Sequence, residues 1–162
     1  MLEPSGDPGK ILRLVYDFES FKDVGELDTV IYIATKLHKV FNYDVRRFEV
    51  LPDGVNTRGE VGWDLFYLQK GGYLQIHSPV ELSSQGKELA RTQTSDVDFL
   101  ELKEKLLGID RSLWPKVAAF LYLCEYYAGA PEKVETALRE GYKTSEKEVE
   151  TIRDLVSQLQ ST

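Results

Sequence analysis

The stretch TRGEVGWDLFYLQKGGYLQIHSPVELSSQGKELAR, residues 57–91, carries the pattern that decides the fold. Its Thr-x-x-Glu start has the form of a helix capping box, and apolar residues then recur at helical spacing, which predicts a helix over residues 58–70. A Gly-Gly pair ends that helix, because glycine adopts the left-handed conformation of a helix end at least cost. Two short apolar and polar alternations predict a β-hairpin over residues 73–82, followed by a serine-capped closing helix over residues 83–91.

The segments before this stretch complete a recognisable order of elements. Apolar stripes over residues 11–18 and 27–41 predict two amphipathic helices. Residues 43–55 end in a Pro-Asp-Gly turn and are expected to form a loop or short strand. Helix, helix, helix, hairpin and helix is the order of a winged-helix unit. In such a unit the closing helix approaches the hairpin closely, and we expect no room for a side chain at Gly86.

The rest of the chain is helical by the same criteria. One helix is expected to start near Asp96, another has Pro115 in its first turn, and Ser145 with Glu148 forms a second capping box. The predicted fold class is therefore mainly α with a small β-hairpin wing. We predict a flexible tail over residues 1–9, a winged-helix domain over 10–92, and a helical extension over 93–162 that packs on that domain.

The composition indicates a folded protein without export or membrane segments. The 162 residues are 42% hydrophobic, with a single cysteine and no long apolar run, so we expect a cytoplasmic location and no membrane partner. The net charge of −7 is unevenly placed: residues 36–91 carry eight Lys/Arg against seven Asp/Glu, while both flanking segments are acidic. A protein coated with phosphate-binding residues is thereby disfavoured.

Three motifs resemble one family. They are NYDVRRF at residues 42–48, GYL leading to LSSQGKEL at residues 72–89, and KTSEKEV at residues 143–149. Over roughly residues 27–160 the chain resembles the YwgA-like family of bacterial and archaeal proteins. The resemblance implies a winged helix with a helical carboxy-terminal extension, and it implies no catalytic residue.

The residue types needed for catalysis or metal binding are not grouped in this sequence. His38, His77 and Cys124 have no spacing that places two of them on one helix face or in one knuckle. No serine or cysteine lies in the strained turn that presents a nucleophile. We therefore expect no catalytic residue, no metal site and no cofactor.

Aromatic residues supply the candidate partner-binding site. Trp63 and Tyr67 lie one turn apart on the third predicted helix, where they would form an apolar contact patch if that face is exposed. Tyr122, Tyr126 and Tyr127 lie on or near one later helix, and their spacing is more typical of core or helix contacts.

Basic residues supply the alternative, a nucleic-acid interface. Winged helices that bind DNA usually insert the third helix in the major groove, with cations on the helix and wing contacting phosphates. The candidates here are Arg46, Arg47, Arg58 and Lys70. The wing itself, residues 73–82, contains no Lys or Arg.

These observations rank three functions. The first is a non-enzymatic regulatory or adaptor module that binds another protein, or a second copy of itself, through Trp63 and Tyr67. The second is a sequence-specific DNA-binding regulator that dimerises through its carboxy-terminal helices, and the third is an enzyme. The order depends on charge placement and on the motifs that are missing, because a fold alone does not define a function.

Overall fold

The structure, a computed structural model, describes residues 4–93 and 99–160. Its α-helices in this part of the chain are α1 (Gly6–Phe18), α2 (Val24–His38), α3 (Gly62–Lys70), α4 (Ser84–Gln93), α5 (Leu100–Leu107), α6 (Trp114–Tyr126), α7 (Pro131–Gly141) and α8 (Glu146–Gln160). Its strands are β1 (Ser20–Phe21), β2 (Glu49–Leu51), β3 (Gly54–Asn56), β4 (Leu74–Gln75) and β5 (Val80–Leu82). The predicted mainly α class with a small hairpin is confirmed.

The strands form two small antiparallel sheets. The predicted hairpin is β4 and β5, with Leu74 opposite Leu82, and β1 adds a third strand to give the order β1-β5-β4. The second sheet is the hairpin of β2 and β3, which turns at Pro52 and Asp53 inside the segment predicted as loop or short strand. Strand β1 has two residues, which is too short for an alternation to reveal it.

The closing helix α4 is capped as the sequence predicts. The Ser83 hydroxyl accepts a hydrogen bond from the Gly86 backbone N–H at 3.0 Å. The same hydroxyl donates to the Gly72 carbonyl at 2.6 Å, which ties the helix start to the end of α3. Gly72 itself has φ +81°, the left-handed conformation expected where α3 stops.

The predicted start of α3 is wrong by four residues. The helix begins at Gly62, and Arg58 and Gly59 have φ values of 55° and 87°, so residues 58–61 form turns and not the first turn of a helix. Thr57 is buried, and its hydroxyl bonds to the carboxylate of Asp28 on α2. A tertiary partner therefore takes the hydroxyl that the local capping box would have used.

The flexible tail predicted over residues 1–9 is wrong for its last four residues. Helix α1 begins at Gly6, so residues 6–9 are helical, while residues 1–3 lie outside the described residues. The carboxylate of Asp7 accepts a hydrogen bond from the backbone N–H of Asn42 at 3.0 Å, and Pro4 is buried. Contacts distant in sequence hold this end of the chain against the protein, and a composition rich in Pro and Gly does not reveal them.

The later helices follow the sequence prediction closely. The Glu148 N–H bonds to the Ser145 hydroxyl at 3.2 Å and the Ser145 N–H to the Glu148 carboxylate at 3.0 Å, so the second capping box is confirmed. Pro115 stands in the first turn of α6, as predicted. The helix start near Asp96 lies outside the described residues, and α5 begins at Leu100.

One continuous core joins the amino-terminal and carboxy-terminal elements. Helix α6 packs against α2 and against the β2–β3 hairpin, while α1 packs against α3, α4 and α5. Trp114 is fully buried, and its indole N–H donates to the Leu106 carbonyl at 2.9 Å. The domain boundary near residue 92 stays a prediction. Helix α3 lies at the side of this core, with one face left uncovered.

Candidate functional site

Helix α3 has a buried side and an exposed side. Leu65 and Leu68 are buried, whereas the exposed fraction is 75% for Trp63 and 51% for Phe66. The two exposed rings meet edge to face, with their centroids 6.3 Å apart. We call Trp63 and Phe66 the α3 patch. Neighbouring exposed aromatic rings of this kind form a contiguous apolar surface, which is typical of a contact site.

The partner of Trp63 in this patch differs from the one that the sequence predicted. Tyr67 is half-buried and packs against the core, and Phe66 is the exposed neighbour. At about 100° per helical residue, Phe66 lies about 60° to one side of Trp63 and Tyr67 about 40° to the other. Which side is covered depends on tertiary neighbours, here α1 and β4, both of which pack on α3.

Two of the predicted nucleic-acid-binding arginines lie beside Trp63, and each is paired with a carboxylate. Arg47 donates from Nη1 to Glu60 at 3.0 Å. Arg58 donates from Nη1 to Glu49, also at 3.0 Å. Together with Gly59, these two arginines, Glu60 and Trp63 line an open cleft of about 690 Å³. The structure thus brings part of the partner-binding candidate and part of the nucleic-acid candidate to one place.

The other two basic candidates are also engaged within the protein. Arg46 donates to both carboxylate oxygens of Asp44, at 3.0 and 3.2 Å, and these bonds lower the pKa of Asp44. The Lys70 ammonium lies 5.7 Å from the centroid of the Phe66 ring, in cation–π geometry. Each arginine of the set therefore faces a carboxylate, so a phosphate would have to compete with an anion already in place.

Asp28 is a buried carboxyl group that the sequence analysis missed. It lies on α2 and is 7% exposed, and its Oδ1 has no hydrogen-bond partner among the described residues. Burial raises the pKa of Asp28 to about 7; the Thr57 hydroxyl opposes that rise, and the charge of Asp23 adds to it. The only signal in the sequence is an acid directly after Leu27, inside an apolar stripe.

Asp28 borders a cavity of about 700 Å³ between the start of α2, the β2–β3 turn and the start of α6. Across this cavity Arg111 pairs with Glu26 at 2.7 Å, and its guanidinium lies 4.8 Å from the centroid of the Trp114 ring. A carboxyl group that titrates near neutral pH is suited to general acid or base chemistry.

Within residues 4–93 and 99–160, no three His, Cys, Asp or Glu side chains come together as a metal site. In the same part of the chain, no helix has the length and apolar character needed to cross a membrane. Cys124 is a half-buried free thiol, and burial raises its pKa.

The chain matches no protein-family model, no curated protein and no solved structure. The YwgA-like resemblance accordingly stays a prediction that depends on its motifs.

Proposed function

We propose that this chain is a non-enzymatic regulatory or adaptor module that binds a protein through the α3 patch. The observation that carries the proposal is the edge-to-face pair of exposed rings, Trp63 and Phe66. Buried leucines already anchor the inner side of α3, so the outer rings are not needed to hold the helix in place. Trp is among the residues that contribute most to binding when an interface covers it.

The order of elements supports a winged-helix unit as the framework of this module. Helix α1, strand β1, helices α2 and α3, the β4–β5 hairpin and helix α4 follow one another, with the β2–β3 hairpin inserted before α3. The sheet order β1-β5-β4 places the first strand beside the hairpin that serves as the wing. The YwgA-like resemblance implies the same arrangement. In this proposal α3 is the recognition element, and a protein surface is what it recognises.

A sequence-specific DNA-binding regulator is the alternative that uses the same helix. Of its four candidate cations, Arg46, Arg47 and Arg58 face carboxylates and Lys70 lies over the Phe66 ring, and the wing over residues 73–82 carries no Lys or Arg. The whole chain has a net charge of −7, which disfavours tight binding of a polyanion. These charges favour protein contact over DNA contact.

Photo-crosslinking tests the proposal and can be carried out before the partner is identified. Lys70, beside the α3 patch, is replaced by p-benzoylphenylalanine, and exposed Lys133 on α7 is replaced in a control protein. We expect protein crosslinks, to another chain or to a second copy, from position 70 and not from position 133. The double change Trp63→Ala and Phe66→Ala should abolish them while circular dichroism stays unchanged.

The same experiment can overturn the proposal. Crosslinks at position 70 that persist in the double variant would show that the rings do not carry the contact. Crosslinking to nucleic acid that is lost when Arg46, Arg47 and Arg58 become Ala would support the DNA alternative. Sedimentation velocity over a range of concentrations separates self-association from binding to a different protein.

A further inference from the structure

A groove lined by tyrosines adjoins the α3 patch. It consists of two neighbouring cavities, of about 310 Å³ and about 350 Å³, that share Phe48 and Tyr122 as walls. The first also contains Tyr32 and Tyr126, and the second also contains Tyr142. We call the space lined by these five aromatic residues the tyrosine groove. Residues of the segment 45–50 and of α6 line both cavities.

Of the three tyrosines interpreted as core or helix contacts, Tyr127 packs against the core, whereas Tyr122 and Tyr126 are exposed. Tyr122 is 41% exposed and Tyr126 is 67% exposed, and their rings stack with centroids 6.2 Å apart. Tyr127 is half-buried and meets the Tyr126 ring edge to face. The α6 side of the groove therefore presents stacked aromatic surface to solvent.

Phenol hydroxyls converge on the groove. Tyr32 is 2% exposed and lines the first cavity. Burial raises the pKa of Tyr32 and of Tyr142, and in both cases the nearby Tyr122 hydroxyl adds to the rise. A nearly buried donor that borders a cavity is satisfied when an acceptor enters that cavity.

Each cationic side chain that borders the groove is paired with a carboxylate, so the groove has no excess positive charge. Arg46 pairs with Asp44, Arg47 with Glu60, Arg58 with Glu49, and Lys36 with Glu125. Four cations thus face four carboxylates. A polyanion would gain little from this surface, since each phosphate would have to displace a carboxylate. The charge balance fits an uncharged occupant that offers hydrogen-bond acceptors.

We propose that the tyrosine groove binds an uncharged, extended peptide segment of a partner protein. Side chains two residues apart in an extended peptide point the same way, so two of them enter the two adjoining cavities. Backbone carbonyls of the peptide accept hydrogen bonds from Tyr32, Tyr122 and Tyr142. Tyr, Trp and Arg are also the residues enriched at the centre of protein interfaces.

The groove and the α3 patch form one continuous surface. Arg47 and Arg58 line both the second cavity of the groove and the cleft that contains Trp63. The inference rests on the proposed function, since it names the chemistry of the partner that the module binds. It adds a second contact area with its own residues, and the two can be tested separately.

Selection from a random dodecapeptide library displayed on phage, with the full chain as bait, tests the groove. We expect uncharged sequences rich in apolar residues to be enriched. Their synthetic peptides should lose affinity about tenfold or more with Tyr122→Ala. Tyr32→Phe removes one hydroxyl and should weaken binding about threefold to tenfold, while Tyr16→Phe on α1 serves as the matched control and should change nothing.

The variants separate failure of the groove from failure of the proposed function. Peptides whose binding depends on Trp63 and Phe66 but not on Tyr122 would overturn the groove and leave the α3 patch standing. Enrichment of acidic sequences would overturn the groove as well. So would a selection in which Tyr122→Ala weakens the binding of none of the enriched peptides. Self-association lost in Tyr122→Ala, measured by sedimentation velocity, would show that a second copy covers the groove and would equally overturn the peptide proposal.

Discussion

Replacing Gly86 by Ala tests the contact between the closing helix and the hairpin. A β-carbon built on Gly86 would lie 2.0 Å from the Tyr73 carbonyl oxygen and 3.0 Å from its carbonyl carbon. That oxygen already accepts a hydrogen bond from the Ser83 N–H at 3.1 Å, so the hairpin strand has little freedom to move away. The methyl group must therefore push α4 and β4 apart.

The expected cost follows from two opposing effects. Overpacking of this kind costs about 1–3 kcal/mol. Alanine within a helix recovers about 0.5–1 kcal/mol relative to glycine. The two ranges combine to a net loss of about 0–2.5 kcal/mol in the free energy of unfolding. We expect the upper part of that range, because the 2.0 Å contact is with backbone, and a melting temperature lower by several degrees.

Urea unfolding monitored by circular dichroism measures the change, with Gly141→Ala as the matched control. Gly141 ends α7, and a β-carbon there meets nothing within 4 Å, so the control should match or exceed the wild type in stability. A Gly86→Ala protein as stable as that control would refute the close approach of α4 to β4.

Three further predictions test other parts of the structure. Thr29→Val removes the acceptor of the buried Val55 N–H, a bond of 3.1 Å, and should cost about 1–3 kcal/mol of unfolding free energy in urea, whereas Thr29→Ser should retain most of it. Unfolded Asp28 ionises near pH 3.8 but the folded protein holds that proton up to about pH 7. The folded state then binds more protons in that interval, so stability should fall as pH rises through it, and Asp28→Asn should flatten the curve; an unchanged slope would contradict the burial of this carboxyl. Purified protein should carry no stoichiometric zinc or iron and should melt identically with and without chelator, a result that elemental analysis can overturn.

Local signals in the sequence were sufficient wherever the structure uses short-range contacts. The Ser145 and Glu148 capping box and the cap at Ser83 involve residues three apart, and both form as predicted. Gly86 was singled out from the order of elements, because the closing helix of a winged-helix unit approaches the hairpin closely. Its contact, the Tyr73 carbonyl, lies within the same hairpin-and-helix stretch.

Long-range contacts account for the differences. Thr57 has a sequence typical of a helix cap, yet its hydroxyl is used by Asp28, which lies on another helix. The amino-terminal residues gain helical structure through Asp7 and the backbone of Asn42, thirty-five positions away. No pattern within a short window contains either partner, so both elements were predicted with wrong starts.

The candidate site also combines features that local sequence signals indicate with features that depend on distant contacts. The helical stripe of Leu65 and Leu68 left the exposure of Trp63 open, and the structure shows that Trp63 is 75% exposed. Phe66 and Tyr67 could be distinguished only by the neighbours that cover one of them. The tyrosine groove was missed because Phe48 and Tyr122 meet across more than seventy residues of chain.

Fluorescence anisotropy with a labelled duplex DNA of mixed sequence, at low and at near-physiological salt, tests the central claim most directly. The claim is that the α3 surface binds protein and does not bind DNA tightly. We predict weak binding at low salt that disappears at near-physiological salt, because the arginines are paired and the chain is acidic overall. Tight binding at near-physiological salt would contradict the claim, if it is lost when Arg46, Arg47 and Arg58 become Ala and kept when Trp63 and Phe66 become Ala.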